Sequence, residues 1–232
     1  MEKKNIRLFF VGVGLLAAFV LWTVFVRFVD VRAIGPRESS VGFATLNGYV
    51  HNLTGVTMSL YVITDWLGLV PIGVAFGFAL LGLVQWINRK SLLKVDPSIL
   101  MLGGFYIVVM AVYVLFEIVV INYRPTLMGG YLEASYPSST TMLVMCVMPT
   151  ARMQLRTRIK NDLFRRRVMF TITVFIAFMV IGRFVSGVHW ITDIIGGALF
   201  STGIVLMYDW CVQNLQKQET VSSDLSSLIS VK

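Results

Sequence analysis

A chain of 232 residues that is 56% hydrophobic and only 14% charged is not an ordinary soluble domain, in which about a quarter of residues are charged. Its formal net charge of +8 does not indicate a nucleic-acid binder, because the basic residues sit in short clusters between long apolar runs, where they act as topology signals. Two cysteines and two histidines give neither a disulfide framework nor a histidine-rich metal set, and Cys146 and Cys211 read as small hydrophobes inside apolar runs. No metal or other cofactor is expected.

These exclusions leave one integral membrane domain, whose spans are marked by uncharged intervals. The first, residues 8–26 between Arg7 and Arg27, is long enough to span and lacks a small-residue cleavage site, so it reads as a retained helix. The segment 30–55 carries Gly35-Pro36 and Ser39-Ser40, then a mildly amphipathic stretch to His51. It predicts a turn followed by an interfacial helix able to cover a site on that face. Residues 66–88, 97–116 and 134–151 give three further spans of sufficient length.

The last two intervals, 168–182 and 194–208, hold 15 residues each. That is roughly 22 Å of helix, short of a core about 30 Å thick. Both helices therefore extend past their flanking charges, which sets Arg183, His189 and Asp193 just below one membrane surface. The predicted fold is an all-α bundle of six transmembrane helices over residues 1–212, with a polar tail at 213–232 that frays. Clusters before the first span, after the second and after the fourth, where Arg152, Arg156, Arg158, Lys160, Arg165, Arg166 and Arg167 gather, place both termini in the cytoplasm. Arg124, Arg183 and His189 then share the outer face.

Three blocks meet on that face. The first is Tyr123-Arg124-Pro125. The second is Tyr136-Pro137-Ser138-Ser139-Thr140. The third runs from Arg183 through His189 to Asp193. Arginine forks match phosphate oxygens. Proline followed by serines is a helix-start signature whose free N–H groups and hydroxyls can cradle an oxyanion. His189 and Asp193, four apart, share a face if the helix includes both, and Asp193 would then orient the imidazole for attack or proton transfer. Each block alone also has a plain structural reading: an interface anchor, a helix cap, a pair tying two helices.

The order Arg-Pro, then Pro-Ser-x-x, then Arg-x5-His-x3-Asp resembles the membrane-bound type 2 phosphatidic-acid phosphatases, related at their site to the vanadium-dependent haloperoxidases. The six-helix layout is similar too. The resemblance implies a lipid phosphate or diphosphate as substrate. His189 would form a phosphohistidine. Asp193 would orient and stabilise it. Arg124, Arg183 and the groups of Ser138, Ser139 and Thr140 would hold the phosphoryl oxygens without a metal.

Two positions depart from the family pattern. Glu117 stands where the first motif has lysine, and Thr140 stands where the second has the histidine that protonates the leaving group. A threonine hydroxyl is too weak an acid for that task. Either the substrate is a diphosphate, whose leaving group needs less help and which favours a polyprenyl diphosphate, or Glu117 or Glu133 supplies the proton, or the chain is a weak or inactive lipid-phosphate binder. Glu117 and Glu133 are equally candidates for ion pairs with the arginines. The expected setting is a bacterial plasma membrane, crossed several times, with the site facing outward.

Overall fold

Long runs of leucine, valine, phenylalanine and alanine, with no proline before position 36, let the chain begin as one uninterrupted helix. In the computed structural model, which describes residues 2–230 and the side chains of 5–218, α1 spans Glu2–Phe28. Its side chains are widely exposed (Phe10 66%, Val20 59%), as befits a helix facing lipid. The chain then turns through a 3-10 segment at Pro36–Glu38 into the short helix α2, Ala44–Thr54. This is the turn and helix expected for 30–55. Gly42 permits the turn, because a Cβ there would lie 1.6 Å from the Val26 carbonyl oxygen.

α3, Met58–Leu67, and α4, Leu69–Arg89, meet at Gly68 and together form one apolar stretch. It starts well before residue 66, because Asp65 continues the helix instead of ending it. α5 covers Pro97–Ile118, α6 Ser139–Arg158, α7 Asp162–Val185 and α8 Ile191–Ser230. α7 thus runs past Arg183 and α8 begins before Asp193, as the short intervals required. α8 also passes through Gln213 unbroken to Ser230, where a frayed tail was expected; Asn5 donates to Asn214 at 2.6 Å along the way. Residues 231–232 lie outside the described part.

Five stretches are long and apolar enough to cross a membrane: Asn5–Phe28, Met58–Arg89, Pro97–Ile118, Asp162–Val185 and Ile191–Gln218. The chain is an all-helical membrane protein, with isolated bridges but no strand among its described residues. α6 is not among the five. Half of its residues are buried, including Thr140, Thr141, Thr150 and Gln154, so it packs against protein on several sides and has less need of lipid-facing apolar groups. It starts at Ser139 instead of 134, because Ala134 and Ser135 pair with Tyr123 and Asn122 and the chain then bends at 136–137, and it carries Arg152, Arg156 and Arg158 as helix.

The core lies where α1, α5, α6 and α8 meet, around Phe19, Phe105, Tyr136, Phe200 and Tyr208. The helices alternate in direction. One end of the bundle therefore collects the C-termini of α1, α5 and α7 and the N-termini of α6 and α8, and the other end collects the basic loops.

Candidate functional site

After α5 the chain folds back on itself. Arg124 N–H donates to the Glu133 carbonyl at 3.0 Å, and Ser135 N–H to the Asn122 carbonyl at 2.9 Å. This short antiparallel pairing sets the Arg-Pro block beside the Pro-Ser block. The third block arrives through Gly187. Its φ is +68°, and a Cβ there would lie 1.8 Å from the Gly55 carbonyl oxygen, so the turn needs glycine. Trp190 Nε1 donates to the Tyr123 carbonyl at 2.7 Å, which ties the start of α8 to the Arg124 loop.

His189 precedes α8, so it and Asp193 do not share a helix face as the spacing suggested. Their closest approach, Nδ1 to Oδ2, is 3.8 Å, beyond a hydrogen bond. The Asp193 carboxylate is satisfied elsewhere. Oδ2 accepts from Trp190 N–H at 2.9 Å and from the Ser135 hydroxyl in a short hydrogen bond, and Oδ1 accepts from Asn122 Nδ2 at 3.4 Å. His189 Nδ1 instead lies 3.1 Å from Ser135 Oγ and 3.2 Å from the Ser135 carbonyl oxygen.

Arg183 is 1% exposed. Its Nη1 donates to the Tyr61 carbonyl (3.3 Å) and to Thr64 Oγ1 (3.2 Å), and Nη2 to Asp65 Oδ1 (3.3 Å). The Arg124 Nε lies 3.2 Å from Glu133 Oε2, an ion pair without a hydrogen bond. The two guanidinium carbons lie 6.0 Å (Arg124) and 4.7 Å (Arg183) from the same Tyr61 ring centroid. Arg124 Nη1, Arg183 Nε and His189 Nε2 are buried with no partner. Orphaned buried donors are costly, and an anion would satisfy the two on the arginines.

Burial pushes the His189 imidazole down to about 4. Arg124 and Arg183 add to that shift and Asp193 opposes it. The ring is therefore neutral at pH 7, with Nε2 available.

The Ser138 N–H is not free for an anion: it donates to the Asp193 carbonyl at 3.1 Å, and its hydroxyl accepts from Thr141 at 3.0 Å. The first intrahelical bond of α6 is Met142 N–H to the Ser138 carbonyl, which leaves the Ser139, Thr140 and Thr141 N–H groups as the free first turn. Ser139 and Thr140 line an apolar groove of about 410 Å³ between α4, α5 and α6, with Leu69, Ile72, Val109, Met110 and Tyr113. A polar cavity of about 500 Å³, lined by Glu117, Tyr123, Arg124 and Glu133, shares Tyr113 and Ser139 with that groove. Glu117 pairs with no arginine among the described residues; it lines the polar cavity together with Tyr113. His189 lines neither cavity. No group of three or more metal-ligating side chains occurs among the described residues.

Sequence reasoning missed Ser135, Asn122, Tyr61, Thr64 and Asp65. Ser135 and Asn122 flank the motifs, and their spacing gives no pattern. Tyr61, Thr64 and Asp65 lie on α3, distant in sequence from every motif.

Residues 119–217 match the PAP2 superfamily. No curated protein gives a match. A solved structure, described as the first transmembrane PAP2-type phosphatidylglycerolphosphate phosphatase from Bacillus subtilis, superposes with a TM-score of 0.54 at 17% identity, covering 88% of this chain and 96% of that one. At that identity the likeness is one of fold. All three blocks lie within the segment that matches the PAP2 superfamily, and the chain shares its helical fold with a PAP2-type membrane phosphatase.

Proposed function

We propose that this protein is a metal-independent lipid phosphatase. The observation that carries the proposal is the set of unpartnered buried atoms Arg124 Nη1, Arg183 Nε and His189 Nε2, together with an apolar groove lined in part by Ser139 and Thr140 that adjoins the Arg124 cavity. A headgroup phosphate suits the first and a lipid chain suits the second. His189 Nε2 attacks phosphorus, and the bond to the leaving oxygen breaks with its electron pair on that oxygen. Water then attacks the phosphohistidine, releasing phosphate and freeing the ring. Arg124, Arg183 and the first-turn N–H groups of α6 stabilise charge on the phosphoryl oxygens. Since His189 is sealed from both cavities, side chains around Arg124 move to admit the phosphate.

The solved relative is described as acting on phosphatidylglycerolphosphate, a monoester. With Thr140 in place of an acid, a diphosphate leaving group is better suited here, which favours a polyprenyl diphosphate. In this reading α6 is a sixth span, residues 1–212 form the membrane domain and 213–232 its polar end. Both termini lie in the cytoplasm, and the site faces outward across a bacterial plasma membrane. A second reading, a lipid-phosphate binder that turns over weakly or not at all, draws on Arg183, three of whose hydrogen bonds already go to Tyr61, Thr64 and Asp65.

Phosphate release by the purified protein from polyprenyl diphosphate, polyprenyl monophosphate, phosphatidylglycerolphosphate and phosphatidic acid separates the two. Release fastest from the diphosphate and absent in His189→Ala supports the phosphatase. Saturable binding without release supports the binder, and turnover by His189→Ala rules out the mechanism.

A further inference from the structure

We infer that Ser135 is a positioning residue that carries the charge of Asp193 to the His189 ring, so that the nucleophile is held by a His–Ser–Asp relay and not by a direct His–Asp pair. This rests on His189 being the nucleophile, as proposed above.

The hydrogen-bond directions are forced. An ionised carboxylate only accepts, so the single Ser135 hydroxyl proton points at Asp193 Oδ2. The Ser135 Oγ lone pair facing His189 Nδ1 at 3.1 Å can then only accept, which requires a proton on Nδ1. The Ser135 carbonyl oxygen, 3.2 Å from the same nitrogen, also only accepts and requires the same tautomer. Two acceptors on one residue therefore fix the proton on Nδ1 and leave the lone pair on Nε2, the ring nitrogen that is buried without a partner.

Asp193 Oδ2, the oxygen nearest His189, already accepts from Trp190 N–H and the Ser135 hydroxyl, which fills its two lone pairs. Asn122 Nδ2 donates to Asp193 Oδ1 and the Asn122 carbonyl accepts from the Ser135 N–H at 2.9 Å, so one residue sets both ends of the relay. Ser135 is 2% exposed, which keeps water from competing. When the Nε2–P bond forms, the ring gains positive charge. The hydroxyl, already polarised by Asp193, stabilises that charge at Nδ1. No proton leaves along the relay; both protons stay on their atoms.

The protein has two histidines, so His51→Gln leaves His189 as the only imidazole and its Nδ1 proton can be observed by NMR without any turnover. The expected result is a strongly downfield Nδ1 proton that shifts upfield in Ser135→Ala and stays in place in Ser135→Thr. In Ser135→Ala, kcat falls about 10- to 100-fold with KM nearly unchanged. Adding Asp193→Asn to Ser135→Ala costs little beyond Asp193→Asn alone, because the two act as one unit. If Ser135→Ala does not fold, Ser135→Cys, which keeps the shape and weakens donor and acceptor, carries the same comparison. An Nδ1 proton unmoved by loss of the hydroxyl, or additive losses in the double variant, overturns the relay. If the wild-type protein releases no phosphate at all, the phosphatase reading fails while the NMR comparison still decides the relay.

Discussion

The Arg183 guanidinium carbon lies 4.7 Å from the centroid of the Tyr61 ring, and Arg124 approaches the same ring at 6.0 Å. One aromatic face thus helps hold two like charges in a buried site, where cation–π attraction is worth about 0.5–2 kcal/mol. Tyr61→Phe keeps the ring and should bind phosphate nearly as the wild type does. Tyr61→Ala should raise the KM for a lipid phosphate about two- to thirtyfold. Steady-state kinetics on both variants checks this; equal KM values would show that the ring is not part of the clamp.

Arg183 reaches three acceptors on α3 from two separate nitrogens and keeps Nε for an anion, a spread that the compact ammonium of lysine does not match. Arg183→Lys should therefore lower kcat/KM about 100-fold or more. Asp65 has a half-exposed side chain, and exposed ion pairs contribute about 0–1 kcal/mol. Asp65→Asn should then cost less than about fivefold. Comparing kcat/KM for the two variants tests the ranking.

The three motif blocks and the apolar spans were legible in the sequence because charge placement and helix length both follow directly from the order of residues. Arg183 and Asp193 were correctly drawn into their helices by the shortness of the intervals beside them. His189 and Asp193 do come within 3.8 Å, but not on a shared helix face, because i, i+4 spacing implies one only inside a helix and α8 starts two residues after His189. The α3 partners of Arg183 were illegible because Tyr61, Thr64 and Asp65 reach the site by tertiary packing of α3 on α7, which no local pattern encodes. α6 departed from its hydropathy signal for the same reason: packing on protein relaxes the demand for apolar side chains that lipid imposes.

The pH dependence follows from His189. Its folded value, about 4, lies below the ordinary histidine value of about 6.5, so on acidification the unfolded chain takes up the proton first. The stability contribution of the neutral ring is therefore full above about pH 6.5 and is lost as pH falls toward 4. The acid limb of kcat/KM should likewise sit well below pH 6.5. Thermal unfolding and kcat/KM measured from pH 4 to 8, both in the His51→Gln background because burial also lowers the His51 value, check the two trends. An acid limb at 6.5 would show that the free-enzyme ring is solvated.

Thr140 lines the apolar groove, beside Ser139. Thr140→His would restore a proton donor at that position. It should raise turnover of alkyl monophosphates by up to about 10²-fold and change diphosphate turnover little. Parallel assays on both substrate classes test this, and an equal effect on both would mean that Glu117 or Glu133 already protonates the leaving group or that this step is not limiting.

The central claim is that the His189 ring is phosphorylated in the course of lipid dephosphorylation. Rapid mixing with a terminally labelled lipid phosphate, followed by alkaline quench, tests it most directly. The account predicts an acid-labile label on the protein that maps to His189, decays at the rate of phosphate release and is missing from His189→Ala. Phosphate release with no label on His189 at any mixing time would contradict it.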